Sequence, residues 1–298
     1  MIDYDPHDWR SHLFDIKGSM LQQISSRILA AVVWSAIVTA GYEYWHYSIK
    51  FADRLPLLPL TVHMLIGTAL GLLLVFRTNS SYDRFWEGRR MWGNIINESR
   101  NLARSTSVLL AGVPDVQSRL FGWTMAFANA VMHQLRGSPH NLGNGEARLS
   151  AADVQRVLAL EHVPLAVARE LTRCLEEARS RQAISDYQFV ALDQNVQQLV
   201  DYVGSCERIQ KTPMPFAYMV HLRRVILLYC YSLPLALVRD YDWWTIPASF
   251  FVAFVLLGIE EIGVEIENPF GNDDNDLPLE AFCETIRRNV EGMGGTSL

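Results

Sequence analysis

The chain has 298 residues, of which 50% are hydrophobic and 19% charged, with a mean hydropathy of +0.07. That balance is too apolar for an ordinary soluble enzyme and too polar for a chain lying wholly in lipid, so it implies apolar spans joined to a polar helical part with its own core. A formal net charge of −6 leaves no basic surplus to meet phosphates, which excludes nucleic acid as a partner.

Residues 1–23 are polar, with Trp9, Phe14 and Gly18 interspersed, and read as a cytosolic segment lying along a membrane surface. Their acidic, aromatic character is unlike that of a cleaved signal peptide. The first predicted span is Ile28–Trp45, with Arg27 at its entrance and Tyr42, Tyr44, Trp45 and Tyr47 at its exit, as interfacial belts are built. A link containing Lys50, Asp53 and Arg54 leads to an apolar run over residues 55–76, in which His63 is the one titratable group. The ~20 residues needed to cross a bilayer are present there. No proline ends the run, and the helix is expected to continue through Arg77, Arg84, Arg89, Arg90, Arg100 and Arg104.

Beyond Arg104, helical periodicity recurs in Val116–Leu135, Ala151–Leu160, Leu165–Arg181 and Tyr187–Ile209, with a loop at 138–149 and a capping pair at Ser150 and Asp153. Apolar character returns at 225–238 and 243–259, which read as two further spans or as a buried helical hairpin. The aromatic cluster Tyr241, Trp243, Trp244 at their turn favours spans. Pro269 and Gly271 then break the last helix ahead of an acidic loop. The predicted organisation is an amino-terminal segment (1–23), two spans (24–76), a cytosolic helical region (77–218), two more spans (219–266) and a cytosolic segment carrying the acidic loop (267–298). Lys and Arg concentrate outside the two short outer links, so both termini are placed in the cytosol, in a bacterial inner membrane.

Cys174, Cys206, Cys230 and Cys283 are scattered and read as reduced, mostly buried thiols. GxSxG, HExxH, P-loop and GxGxxG motifs are missing and no catalytic spacing appears, so no enzyme is predicted. In the second span Thr68, Leu72 and Phe76 stand at i, i+4, i+8 on one side of a helix. Such a stripe can line a narrow apolar pore if several copies surround an axis, or it can pack against lipid or a neighbouring helix. Glu260, Glu261, Glu265 and Glu267 cluster at the end of the fourth span, where Glu261 and Glu265 share a face, and Arg223 and Arg224 open the third; they are expected to pair as a lock between spans. The loop Gly271–Asp276 offers five consecutive oxygen-bearing side chains, which suits either a calcium site completed by backbone carbonyls or an Asx-rich turn capping the next helix, with no cofactor required.

Four segments together resemble the bestrophin family, in particular its prokaryotic and plant branch. They are HDWRSHLFDIKGS (7–19), FRTNSSYDRFWEGRRMWG (76–93), TPMPFAYMVHLRR (212–224) and ENPFGNDDNDLPLE (267–280). The resemblance implies an all-α homopentameric ion channel with four membrane-spanning helices per subunit, a large cytosolic helical region and a central pore for small inorganic ions. It implies a hydrophobic neck at Thr68, Leu72 and Phe76, where Thr68 departs from the family's bulky apolar residue. Asp273, Asp274 and Asp276 match the run that helps form a calcium clasp in animal members, while Asn272 and Asn275 stand where acids would be. Animal and plant members pass anions and some prokaryotic members pass monovalent cations. The alternative to a channel is a non-conducting, membrane-anchored helical scaffold or regulator.

Overall fold

The structure is a computed structural model that describes His7, residues 18–49 and residues 59–294. The expectations for most of the amino-terminal segment and for the link with Lys50, Asp53 and Arg54 fall outside the described residues. Every regular element described is helical. In chain order these are α1 (Leu21–Ile49), α2 (Leu60–Leu109), α3 (Pro114–Arg136), α4 (Ala151–Leu158), α5 (Val163–Ser180), α6 (Asp186–Lys211), α7 (Phe216–Tyr241), α8 (Thr245–Glu265) and α9 (Leu279–Gly294). They belong to two compact units. One comprises Phe85–Thr212 with the chain from Asn268 on; the other comprises Pro213–Glu267 with the described residues up to Arg84.

The first unit is built round α3. Proline at its first turn suits a position whose N–H has no helical partner, and Gly137 ends it in the left-handed conformation at φ +61°. Between these caps Leu120–Ala128 and Ala130–Met132 are all buried, so the helix is enclosed on every side. Trp92, Leu102, Leu171, Leu199, Phe270 and Ile286 complete the core from α2, α5, α6, the acidic segment and α9. A Cβ on Gly145 would lie 2.5 Å from the carbonyl oxygen of Gly122, so the 3-10 turn Gly143–Arg148 reaches α3 only because that residue is glycine. The Ser150 hydroxyl caps α4 by accepting the Asp153 N–H at 3.1 Å, as predicted. Ser185 and Gln188 form a reciprocal capping box at α6 that the periodicity alone did not reveal.

Burial pushes the thiols of Cys174, Cys206 and Cys283 up to about 12, which keeps them protonated and unreactive. Next to the end of α3, the rings of His133 and His140 lie 6.3 Å apart. Burial lowers both from the ordinary histidine range; the Arg136 charge adds to this for His133, and the other histidines, His133 and His162, add to it for His140. Arg136 in turn pairs with Glu280 and holds that carboxyl below the usual glutamate range.

The second unit has a much smaller core, in which Ile24, Ile28, Leu70, Leu74, Leu222, Ile226 and Leu257 are central. The helices α7 and α8 are 26 and 21 residues long; α7 extends past its predicted run at both ends, and α8 starts two residues inside its run and extends beyond it to Glu265. They are separated at Asp242, whose φ of +46° breaks the helix. Short polar contacts tie the helices together. Ser35 donates to the Ser249 hydroxyl at 3.2 Å, the Trp34 indole donates to the Tyr231 carbonyl at 2.8 Å, and the Tyr218 hydroxyl donates to the Leu73 carbonyl at 2.9 Å. Three stretches, Leu21–Tyr47, Leu60–Leu109 and Phe216–Glu265, are long and apolar enough to cross a membrane, and at most 28% of the apolar window of any of them is buried. A buried hairpin in a globular domain would hide most of that surface, so the outward apolar faces favour the spanning alternative.

Candidate functional site

The site is organised by α2, whose 50 residues run without interruption from the apolar run into the arginine-rich stretch, as the lack of proline predicts. His63, Leu70, Leu74, Arg77 and Ser81 are buried at helical spacing on one face. Thr68, Leu72 and Phe76 share the opposite, exposed side. Leu72 is 58% and Phe76 64% exposed, and Leu65, one turn before Thr68, is 74% exposed. The Thr68 hydroxyl donates to the Met64 carbonyl at 2.9 Å, so its polar atom is already satisfied within the helix.

Immediately after Phe76 the helix is anchored. The Arg77 side chain is wholly buried, and its Nη2 donates to Glu267 Oε2 at 2.7 Å. Its Nη1 donates to the Ser81 hydroxyl at 2.6 Å and to Met214 Sδ at 2.7 Å. The second Glu267 oxygen accepts the Met214 N–H at 2.8 Å, and the Glu267 carbonyl accepts from Arg84 Nε at 3.1 Å. A buried guanidinium left unpaired would be strongly destabilising; here the carboxylate and three further contacts satisfy both charges. Sequence reading placed Arg77 and Glu267 in separate charged clusters and did not pair them, because they are 190 positions apart in the chain.

The predicted lock between spans exists with different partners. Arg223 meets Glu260 at 2.9 Å, not Glu261, and Glu261 meets Arg27 of α1 at 2.8 Å. Successive helical residues are about 100° apart, so the neighbouring carboxylates face different helices. Arg224 is exposed and Glu265 half-buried.

In the acidic loop the Asp276 side chain turns inward and accepts the Asp273 N–H at 2.7 Å, while the Asp276 N–H donates to the Asp273 carbonyl at 3.0 Å. A Cβ on Gly271 would lie 2.6 Å from Asp276 Oδ2, which fixes glycine there. Phe270 is fully buried, and a Cβ on Gly88 of α2 would come within 3.0 Å of its ring. Asp273 and Asp274 are exposed, and among the described residues no three acidic, histidine or cysteine side chains converge as a metal site. The geometry is that of a self-closed Asx-rich turn.

A family model described as bacterial and fungal bestrophin protein matches residues 1–292. The chain belongs to that family. A voltage-dependent anion channel-forming protein of Nostoc sp. is 39% identical over 293 residues, covering 97% of this chain and 92% of that one. Another, of Escherichia coli K12, is 33% identical over 296 residues, covering 98% and 94%. The crystal structure of a bacterial bestrophin homolog from Klebsiella pneumoniae matches with a TM-score of 0.84 at 31% identity, covering 92% of this chain and all of that one. In this bestrophin, three of the four segments that carried the resemblance converge on one guanidinium. The first supplies Arg77 and Ser81, the second Met214 and the third Glu267.

Proposed function

We propose that this chain is one subunit of a homopentameric channel for small monovalent ions in the bacterial inner membrane. Four spans per subunit are assigned to α1, the first part of α2, α7 and α8, which leaves both termini and the arginine-rich end of α2 in the cytosol. Thr68, Leu72 and Phe76 form the neck. The observation that carries this reading is the exposed apolar side of α2. The described residues leave it without a partner within the subunit, although the other side of the same helix is anchored by Arg77.

Five copies round an axis would give that side its environment. Opening a water-filled space beside apolar walls is unfavourable, so a ring of Leu72 and Phe76 resists ions and sets the conductance. Anions are the assigned cargo, since the relatives are named as anion channel-forming proteins. The acidic loop serves as a rigid turn, with or without calcium. A non-conducting scaffold would also expose apolar faces to lipid but would have no need of repeated subunits.

Two measurements test the proposal. The mass of the protein in mild detergent is expected to be that of five chains, and a stable monomer or dimer would refute the assembly. Reconstituted liposomes in asymmetric salt are expected to pass current with an anionic reversal potential. A cationic one would overturn the selectivity alone, and no current would favour the scaffold.

A further inference from the structure

An open cavity of about 410 Å³ lies between the last third of α2 and α9. Its walls carry three guanidiniums, from Arg100, Arg104 and Arg288, together with Asn101, Asn289 and Met293. Arg100 and Arg104 are four residues apart and share a helix face. Glu284 takes up the charge of Arg288 at 2.8 Å, and Glu291, the other nearby acid on α9, is taken by Arg287. Arg100 reaches only the Asn97 amide oxygen at 3.4 Å, and among the described residues neither Arg100 nor Arg104 has an acidic partner. The side-chain nitrogen of Asn289 is shielded from solvent and has no acceptor. The one opposing influence is the carboxyl end of α9, whose free carbonyls are weakly negative.

We propose that this cavity binds a soluble, phosphate-bearing small anion. Two unneutralised positive charges match a phosphate dianion, and the planar fork of a guanidinium fits phosphate oxygens two at a time. The Asn289 side chain adds a polar wall beside them. The volume lies within the ~300–1,000 Å³ of small-molecule pockets. A lipid headgroup offers the same chemistry but is the poorer occupant. Arg100 stands 24 residues beyond Phe76 on one continuous helix, about 36 Å along it at 1.5 Å per residue. The headgroup layer on one side of a bilayer is only about 5–8 Å deep. The site is independent of whether the protein conducts.

Titration calorimetry on the full chain in detergent, with pyrophosphate as the probe and sodium chloride at matched ionic strength as reference, tests this. Saturable binding of pyrophosphate is expected, with affinity about ten-fold weaker in Arg104→Ala and in Arg100→Ala. Arg104→Lys, which keeps the charge on an exposed helical position, is expected to retain an intermediate affinity. Leu72→Ala, remote from the cavity, is expected to bind as the parent does. Heat no greater than that of chloride, or equal affinity in parent and Arg104→Ala, would overturn the proposal. So would association with phosphatidylglycerol vesicles that depends on Arg104 without any binding of free pyrophosphate, since that would make the ligand a lipid.

Discussion

Phe127 on α3 and Phe76 on α2 are the same side chain in opposite circumstances. Phe127 is wholly buried and surrounded by the helices of its own unit, whereas Phe76 is 64% exposed on a helix whose other face is locked. The contrast extends to the units themselves. The α3 unit encloses its core with its own chain, and its surface is laced with ion pairs such as Arg119–Glu177 and Arg287–Glu284. The other unit joins its helices by a few hydrogen bonds and by the pairs Arg27–Glu261, Arg77–Glu267 and Arg223–Glu260, and turns most of its apolar surface outward. A finished core and an unfinished one in a single chain mean that the second is completed from outside, by lipid and, in our reading, by further subunits.

The sharpest way to break this comparison is to make one change in both units. Phe127→Ala should cost about 3–5 kcal/mol, read as a large fall in melting temperature. Phe76→Ala removes little buried surface within the subunit and should leave the subunit's melting nearly unchanged while raising ion flux in liposomes, with Leu72→Ala behaving alike and Thr68→Ala weakly. Flux equal to the parent in all three would remove the stripe from the pore. Next in size is the anchor. Glu267→Ala leaves the Arg77 guanidinium buried and unpaired and should destabilise the protein by about 2–4 kcal/mol. Arg77→Met with Glu267→Leu should recover part of that, and a neutral Glu267→Ala would show the anchor to be unimportant.

Smaller again is the loop. Asp276→Ala strands the Asp273 N–H and should cost about 1–2 kcal/mol whether or not calcium is present, while Asp273→Ala, at an exposed side chain, should cost less than about 0.5 kcal/mol. The smallest effect is expected from His133 and His140. Their folded values are lowered, so their contribution is complete above the unfolded value of 6.5 and is lost as pH falls below it through the lowered folded values. Thermal stability should therefore decline between pH 7 and 5, and His140→Gln should flatten that decline. An unchanged slope would place the acid sensitivity elsewhere.

What could be read in advance was whatever local spacing determines. The continuity of α2 followed from the absence of proline, the start of α4 from Ser150 and Asp153, and the shared side of Thr68, Leu72 and Phe76 from the helical period. Features that depend on distant partners were not legible. Glu260 and Glu261 are indistinguishable in sequence, and only the rotation of α8 against its neighbours gives one to Arg223 and the other to Arg27. Nothing within ten residues of Arg77 announces Glu267. The inward turn of Asp276 is set by its closure onto the Asp273 backbone, which leaves the Asp273 and Asp274 side chains exposed.

The two units are interleaved along the chain, and this has a consequence for the order of synthesis. Phe85–Thr212 leaves the ribosome before α7 and α8, yet its core lacks Phe270, Leu279, Cys283, Ile286 and Val290 until the segment after Asn268 follows. The apolar hairpin must therefore be handed to the membrane while the earlier helices still wait with an open seam. A nascent chain stalled within α8 would carry that seam exposed, an apolar groove that chaperones and proteases recognise. Arrival of α9 closes it, so a chain cut short before that helix is expected to keep the groove open.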